Sequence, residues 1–143
     1  METITSWSAC DTFCSRLKVA QRSPELVWAF VKPYYQRVDA YPLRFAIVMT
    51  LNYYLNDEYI DEVLALLDAV HHEDYYVRMA VAWALSMAYL SHPEKTMRLL
   101  ENSTQDDWTY NKTLRKIIES RHVDDAARQQ LREMRRKAVE PYA

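Results

Sequence analysis

Two residues near the N-terminus set an aromatic ring beside a carboxylate. Trp7 and Asp11 lie four positions apart in SWSACDTFC, the stretch from Ser6 to Cys14. On an α-helix, side chains at this spacing are neighbours on one face. Asp11 is therefore either an ordinary exposed acid near a helix start or, together with Trp7, part of a ligand site.

The cysteines and histidines do not form a recognisable metal-binding pattern. Cys10 and Cys14 are one helical turn apart with no histidine nearby. The four histidines are scattered and match no zinc spacing: His71, His72, His92 and His122. We expect the two thiols to be buried packing residues and the protein to need no metal and no cofactor.

The composition favours an all-helical protein, because the chain lacks glycine altogether. The chain has 143 residues and no glycine, although hairpins and phosphate-binding loops depend on glycine. No apolar run approaches the ~20 residues of a membrane span, and the N-terminus lacks a basic start followed by an apolar stretch. We expect a single all-α domain over residues 1–143, cytoplasmic and independent of membranes.

Charge is distributed unevenly along the chain. Residues 45–77 contain no lysine or arginine and seven acids, namely Asp57, Glu58, Asp61, Glu62, Asp68, Glu73 and Asp74. From Lys112 to the C-terminus, nine bases face five acids. Each run alone is most simply a solvated helix face. Together they predict a polarised molecule that binds an anionic ligand on one side, with the acid-rich helix facing away from it.

Helix signals and an internal repeat indicate the architecture. Prolines and acidic helix starts at Asp57, Asp74, Asp106 and Asp124 indicate where helices begin. We predict eight helices, at 4–21, 24–38, 42–55, 57–71, 75–90, 93–102, 106–120 and 124–138. The segment RFAIVMTL matches RMAVAWAL 34 residues later, and KTLRKIIE follows as a weaker third copy. Two helices per repeat predict an α-solenoid of about four stacked helical hairpins with one concave face.

The repeat brings distant residues to one groove. Arg44 and Arg78 occupy equivalent positions, and Trp83 lies on the same helix as Arg78. Equivalent positions in successive repeats point the same way. A groove that contains Trp7, Asp11, Arg44 and Trp83 is therefore expected.

Four segments carry a family resemblance. SWSACD, PLRFAIVM, DYYVRMAVAWALS and TYNKTLRKIIES resemble, in this order, the corresponding segments of the AlkD-type DNA alkylation repair proteins, which are HEAT-like repeat DNA glycosylases. The resemblance runs through nearly the whole chain and covers the central and C-terminal part of the family, without its N-terminal helices. It implies HEAT-like repeats and hydrolytic excision of cationic N3- or N7-alkylated purines from duplex DNA.

The resemblance also implies roles for individual residues. The family's catalytic aspartate falls on Asp11, its aromatic partner on Trp7, the accompanying arginine on Arg44 and the second aromatic wall on Trp83. Phosphate contacts are expected from cations near the groove, namely Arg44, Arg78, Lys112, Arg115 and Lys116.

Other interpretations remain open for this sequence. The protein could be an inactive HEAT-repeat scaffold that binds DNA or a protein partner, and it could dimerise through an exposed N-terminal repeat edge. Trp83 could be a core residue, and packing is the default for Trp28 and Trp108. Packing is also the expected role of the tyrosine pairs, which are Tyr34–Tyr35, Tyr53–Tyr54 and Tyr75–Tyr76.

Overall fold

The computed structural model describes residues 23–137, and helices are the regular elements of this part of the chain. The elements are α1 (Pro24–Val31), a 3₁₀ helix (Lys32–Gln36), α2 (Ala40–Tyr53), α3 (Ile60–Asp68), α4 (Tyr75–Ser91), α5 (Pro93–Glu101), α6 (Asp107–Ile118) and α7 (Asp125–Glu133). No strand occurs between residues 23 and 137. The all-α prediction is confirmed, and the helix predicted at 4–21 lies outside the described residues.

The helices form two rows of a solenoid. α4 packs against α2 on one side and α6 on the other, which makes a central row of α2, α4 and α6. α3 and α5 contact each other and both pack on α4, so they belong to an outer row. Successive helices thus alternate between rows, which is the arrangement that the repeat predicts.

Polar contacts between repeats keep the predicted period. Lys95 Nζ lies 2.9 Å from Asp61 Oδ1, between positions 34 apart. The ring of His92 bonds to Asp57 across 2.7 Å, between positions 35 apart. Each pair joins the outer-row segments of neighbouring repeats. The contacts that align neighbouring repeats therefore join residues 34 or 35 positions apart, close to the 34-residue period of the sequence match.

Aspartate residues begin several helices, as predicted. The carboxylate of Asp74 accepts hydrogen bonds from the backbone at the start of α4, and Asp106 and Asp124 do the same for α6 and α7. These caps satisfy backbone N–H groups that have no partner inside the helix. Asp57 is the exception, because α3 begins only at Ile60 and the Asp57 carboxylate bonds to His92 instead.

The predicted helix at 24–38 is interrupted. α1 ends at Val31, and a 3₁₀ helix continues from Lys32 to Gln36. The cause is Pro33, which has no backbone N–H to donate to the preceding turn and whose ring clashes with it. This prediction was correct in location and wrong in treating the segment as one α-helix.

The last predicted helix, 124–138, is shorter than expected. α7 ends at Glu133. The amide of Asn111 brackets the backbone of Arg136, accepting from its N–H at 2.8 Å and donating to its carbonyl at 2.7 Å. These two bonds hold the backbone at Arg136 against α6, so the chain does not continue as a helix beyond Glu133.

A continuous core supports the central row. Every residue of α2 from 43 to 50 is buried, and the core extends from Trp28 to Ala88. Trp28 packs against the rings of Tyr54 and Tyr59, which confirms its predicted packing role. A second cluster around Leu114 and Leu131 joins α6 to α7. Within residues 23–137, no helix is long and apolar enough to cross a membrane.

Candidate functional site

Arg44 and Trp83 meet at one depression, as predicted. It has a volume of about 170 Å³ and is lined by Arg44 from α2, Met79 and Trp83 from α4, and Lys116 from α6. All three central-row helices therefore contribute to one surface, which we call the groove face. Trp7 and Asp11 lie outside the described residues.

Packing of α2 against α4 holds Arg44 in place. The residue is only 8% exposed, and its Nη1 donates to the backbone carbonyl of Tyr76 across 2.6 Å. Tyr76 lies in the first turn of α4, directly after the Asp74 cap. The backbone of α4 thus orients an arginine at the edge of the depression.

Trp83 is an exposed aromatic residue on the middle of α4. Trp83 is 38% exposed. The alternative interpretation, that Trp83 is a core residue, is therefore wrong. The neighbouring positions on the other faces of the helix, Ala82 and Ala84, are buried. α4 therefore presents the indole to solvent while its small residues pack into the core.

Sequence reasoning did not single out Met79, which lines the same depression. It lies one helical turn before Trp83, so both residues occupy one face of α4. That spacing was the available signal, but a methionine four residues from a tryptophan is usually part of the core. Only the packing of the neighbouring helices leaves this face of α4 open.

The predicted basic residues of α6 do not contribute equally. Lys116 lines the depression. Lys112 precedes it by one turn on the same face of α6 and is half-buried. Arg115 is exposed and forms an ion pair with Glu119, with 2.9 Å between Nε and Oε1. Lys116 is therefore the α6 cation that lines the depression together with Arg44 and Trp83.

Arg78 is held by its own repeat and the next one. Its Nε donates to the carbonyl of His72 at 2.7 Å and lies 3.6 Å from the Asp106 carboxylate. Asp106 also caps α6. Arg78 therefore connects the loop before α4 to the start of α6, a structural role that its repeat equivalence with Arg44 did not predict.

The acid-rich helix α3 lies in the outer row, away from the central row's exposed side. The carboxylate of Asp61 pairs with Lys95 on α5. Glu62 accepts bonds from Lys32 and from the indole of Trp28, and these bonds lower the pKa of its carboxyl below the usual value. Acids are thus concentrated on one row and cations on the other, as the charge pattern predicts.

The described residues hold no group of acids, histidines or cysteines able to bind a metal ion. The groups with shifted pKa values lie elsewhere in the fold. Burial raises the pKa of Tyr54 to about 12 and raises that of Tyr35 as well, and both belong to the packing around α2. The described part of the groove face therefore acts through fixed positive charge, an indole ring and apolar surface.

A helical-repeat protein whose central row presents cations and an exposed indole has the features of an anion-binding repeat protein. The chain belongs to the DNA alkylation repair enzyme family, which it matches over residues 1–140. No curated protein and no solved structure matches it at a significant level. Family membership supports a role in the repair of alkylated DNA, and therefore DNA binding.

Proposed function

We propose that the protein is a DNA glycosylase that removes cationic N3- or N7-alkylated purines from duplex DNA, bound on the groove face. The observation that carries this proposal is the meeting of Arg44, Trp83 and Lys116 at one depression in a member of an alkylation repair family. The substrate carries negative phosphates and a positively charged damaged base. The fixed cations of the groove face can bind the phosphates, and the Trp83 ring can bind the cationic base.

The size of the depression favours surface recognition of the damaged nucleotide. Pockets that enclose small ligands usually have volumes of roughly 300–1,000 Å³. The depression beside Trp83 measures about 170 Å³. The lesion is therefore proposed to lie against Trp83 without entering a deep cavity.

The proposed reaction is hydrolysis of the N-glycosidic bond. The bond between C1′ and the purine nitrogen breaks, and its electron pair leaves with the alkylated base, which becomes neutral. Positive charge that develops on the deoxyribose is stabilised by the carboxylate of Asp11 and by the ring faces of Trp7 and Trp83. Water then bonds to C1′, and its proton passes to solvent through Asp11. Arg44 binds a neighbouring phosphate and fixes the register of the strand.

The remaining cations are proposed to bind phosphates along the groove face. Lys116 is the principal contact, Lys112 extends the same line, and Arg115 contributes after exchange from Glu119. Arg78 stays a predicted phosphate contact in addition to its bonds within the fold. Because these contacts release counterions, we expect sequence-independent affinity that falls with salt.

A direct test is release of 7-methylguanine from a duplex that carries one such base, measured under single-turnover conditions. We expect Asp11→Asn to lower the rate at least ~100-fold, because a preorganised charge is lost. Trp83→Ala should lower it about 3- to 30-fold, the range of one cation–π interaction. Phe30→Ala is the matched control, since Phe30 is an exposed aromatic residue on α1 and should leave the rate unchanged.

The second candidate is an inactive HEAT-repeat scaffold that binds DNA or a protein in the same groove. One observation favours it, because the lining residues of the depression that fall between residues 23 and 137 include no carboxylate. Salt-dependent binding without base release supports a DNA scaffold, and absence of salt-dependent binding supports a protein scaffold. The dimer through the N-terminal repeat edge also stays a prediction, which sedimentation of the chain would check.

A further inference from the structure

The exposed face of α4 is apolar along its whole length. Met79, Trp83, Met87 and Leu90 lie within about 80° of arc at 100° per residue, and we call these four residues the α4 stripe. Trp83 is 38% exposed, Met87 40% and Leu90 36%. Met79 is half-buried. Single exposed apolar residues are common on protein surfaces, whereas three of them in line with a half-buried methionine on one helix face indicate a binding surface.

Charge beside Met79 and Trp83, at one end of the α4 stripe, is positive. The only charged residue on α4 is Arg78, which is bonded to the loop before the helix and to the start of α6. Arg44 and Lys116, from the two neighbouring helices, line the depression that also holds Met79 and Trp83. Leu90, at the other end of the stripe, lines a different depression with His122 and Asp124. The carboxylate of Glu119, the residue directly after α6, is paired with Arg115. The Met79–Trp83 end of the stripe therefore combines apolar side chains with a cation from each neighbouring helix.

One strand of DNA matches this combination. The sugars along a strand present apolar C–H faces, and the phosphates between them carry the charge. From Met79 to Leu90 the stripe is about 16 Å long at 1.5 Å per residue. With about 3.4 Å per nucleotide in each strand of a duplex, this length corresponds to roughly five nucleotides.

We infer that the α4 stripe binds the deoxyribose faces of one strand of duplex DNA over about five nucleotides, while Lys116 and Arg44 contact its phosphates. The inference rests on the proposed function for the choice of DNA as partner and extends it beyond the damaged nucleotide. Met87 and Leu90 become DNA contacts that act by apolar burial. The strand that carries the lesion then runs along α4 from Met79 towards Leu90.

The salt dependence of binding separates the two kinds of contact. Loss of a phosphate contact makes the plot of log affinity against log salt shallower by about 0.9. Loss of an apolar contact releases no counterions and should displace this plot without changing its slope. We expect Met87→Gln and Leu90→Gln to weaken binding to an alkylated duplex about threefold to tenfold each at every salt concentration. Lys116→Gln should instead reduce the slope.

Leu26→Gln is the matched control, because Leu26 is 75% exposed and lies on α1, outside the central row. Glutamine is a good helix former, so these exposed substitutions should retain the fold, which thermal melts would verify. Affinities of Met87→Gln and Leu90→Gln equal to that of Leu26→Gln would overturn the inference. So would a change in slope for these two variants, since it would indicate an electrostatic cause.

Base release distinguishes failure of the inference from failure of the proposed function. Loss of affinity in Met87→Gln and Leu90→Gln supports the stripe even if the wild type releases no base, in which case only the glycosylase proposal fails. If the wild type releases the base and both variants keep the wild-type affinity, the glycosylase proposal is supported and the inference about the α4 stripe is wrong. Absence of DNA binding by the wild type overturns both.

Discussion

Arg44 should carry two separable roles, one in stability and one in DNA binding. The residue is 8% exposed and donates to the Tyr76 carbonyl at 2.6 Å, which ties α2 to the first turn of α4. A hydrogen bond from a charged donor contributes about 1.5–3 kcal/mol, and part of this is offset when a buried charge is removed. We expect Arg44→Gln to lower the free energy of unfolding by about 1–2 kcal/mol. For a domain of this size, that corresponds to a decrease in Tm of roughly 3–8 °C.

Lys116→Gln separates the two roles. Lys116 lines the same depression as Arg44 but is partly exposed, so its replacement should change the free energy of unfolding by less than about 0.5 kcal/mol. Both variants should lose one phosphate contact and make the salt plot shallower by about 0.9. Urea denaturation followed by circular dichroism measures the first effect, and fluorescence anisotropy with labelled duplex measures the second.

The reasoning would be refuted by either of two results. If Arg44→Gln is as stable as Lys116→Gln, the bond to Tyr76 does not join α2 to α4. If Arg44→Gln is destabilised but keeps the wild-type salt plot, Arg44 is a structural residue only. Arg115→Gln serves as a surface control for the stability measurement only, because its exposed pair with Glu119 contributes no more than about 0.5 kcal/mol.

Three further predictions concern residues outside the groove face. Gln105 is 4% exposed and its amide donates to three carbonyls at the end of α3, so Gln105→Ala should cost about 2–3 kcal/mol in urea denaturation. Burial raises the pKa of Tyr54 to about 12, so its share of stability is complete below pH 10 and lost as pH rises towards 12. Tyr54→Phe should therefore lose less stability than the wild type over that interval, which alkaline denaturation would check. The pKa of Glu62 is lowered, so Glu62→Gln should be less stable than the wild type at pH 7, and the difference should disappear as pH falls through the folded-state pKa.

Contradictory outcomes for these three predictions are equally specific. Wild-type stability of Gln105→Ala would mean that water replaces its bonds at the end of α3. Parallel alkaline curves for Tyr54→Phe and the wild type would remove Tyr54 as a source of alkaline instability. A stability difference for Glu62→Gln that persists at acid pH would assign the effect to packing.

The repeat and the caps made most of the helical architecture predictable. A match at 34 residues is visible in the sequence, and Asp74, Asp106 and Asp124 cap the helices that they were expected to begin. Local chemistry explains two departures. Pro33 changes the end of the first described helix to 3₁₀ geometry, and Asp57 pairs with His92 in the next repeat instead of capping α3.

The site was harder to predict because exposure depends on neighbouring helices. AVAWALS reads as a core segment, and only the packing of α2 and α6 against α4 shows that Trp83 faces solvent. The repeat predicted that the side chains of Arg44 and Arg78 point towards the same groove. Arg44 donates to the carbonyl of Tyr76, whereas Arg78 donates to that of His72. Tyr75 and Tyr76 are likewise exposed, whereas Tyr54 is fully buried. The repeat therefore predicts which helix and which turn a residue occupies. Its hydrogen-bond partners and its exposure depend on the neighbouring helices.

The central claim is that DNA lies on the groove face and not on the acidic outer row. The most direct measurement is photo-crosslinking of an alkylated duplex to protein that carries a photoreactive amino acid at one exposed position. Position 87 on α4 and position 65 on α3 provide a matched pair, since both are exposed and they lie on different rows. The account predicts salt-sensitive crosslinking at position 87 and none at position 65. Equal or stronger crosslinking at position 65 would contradict it.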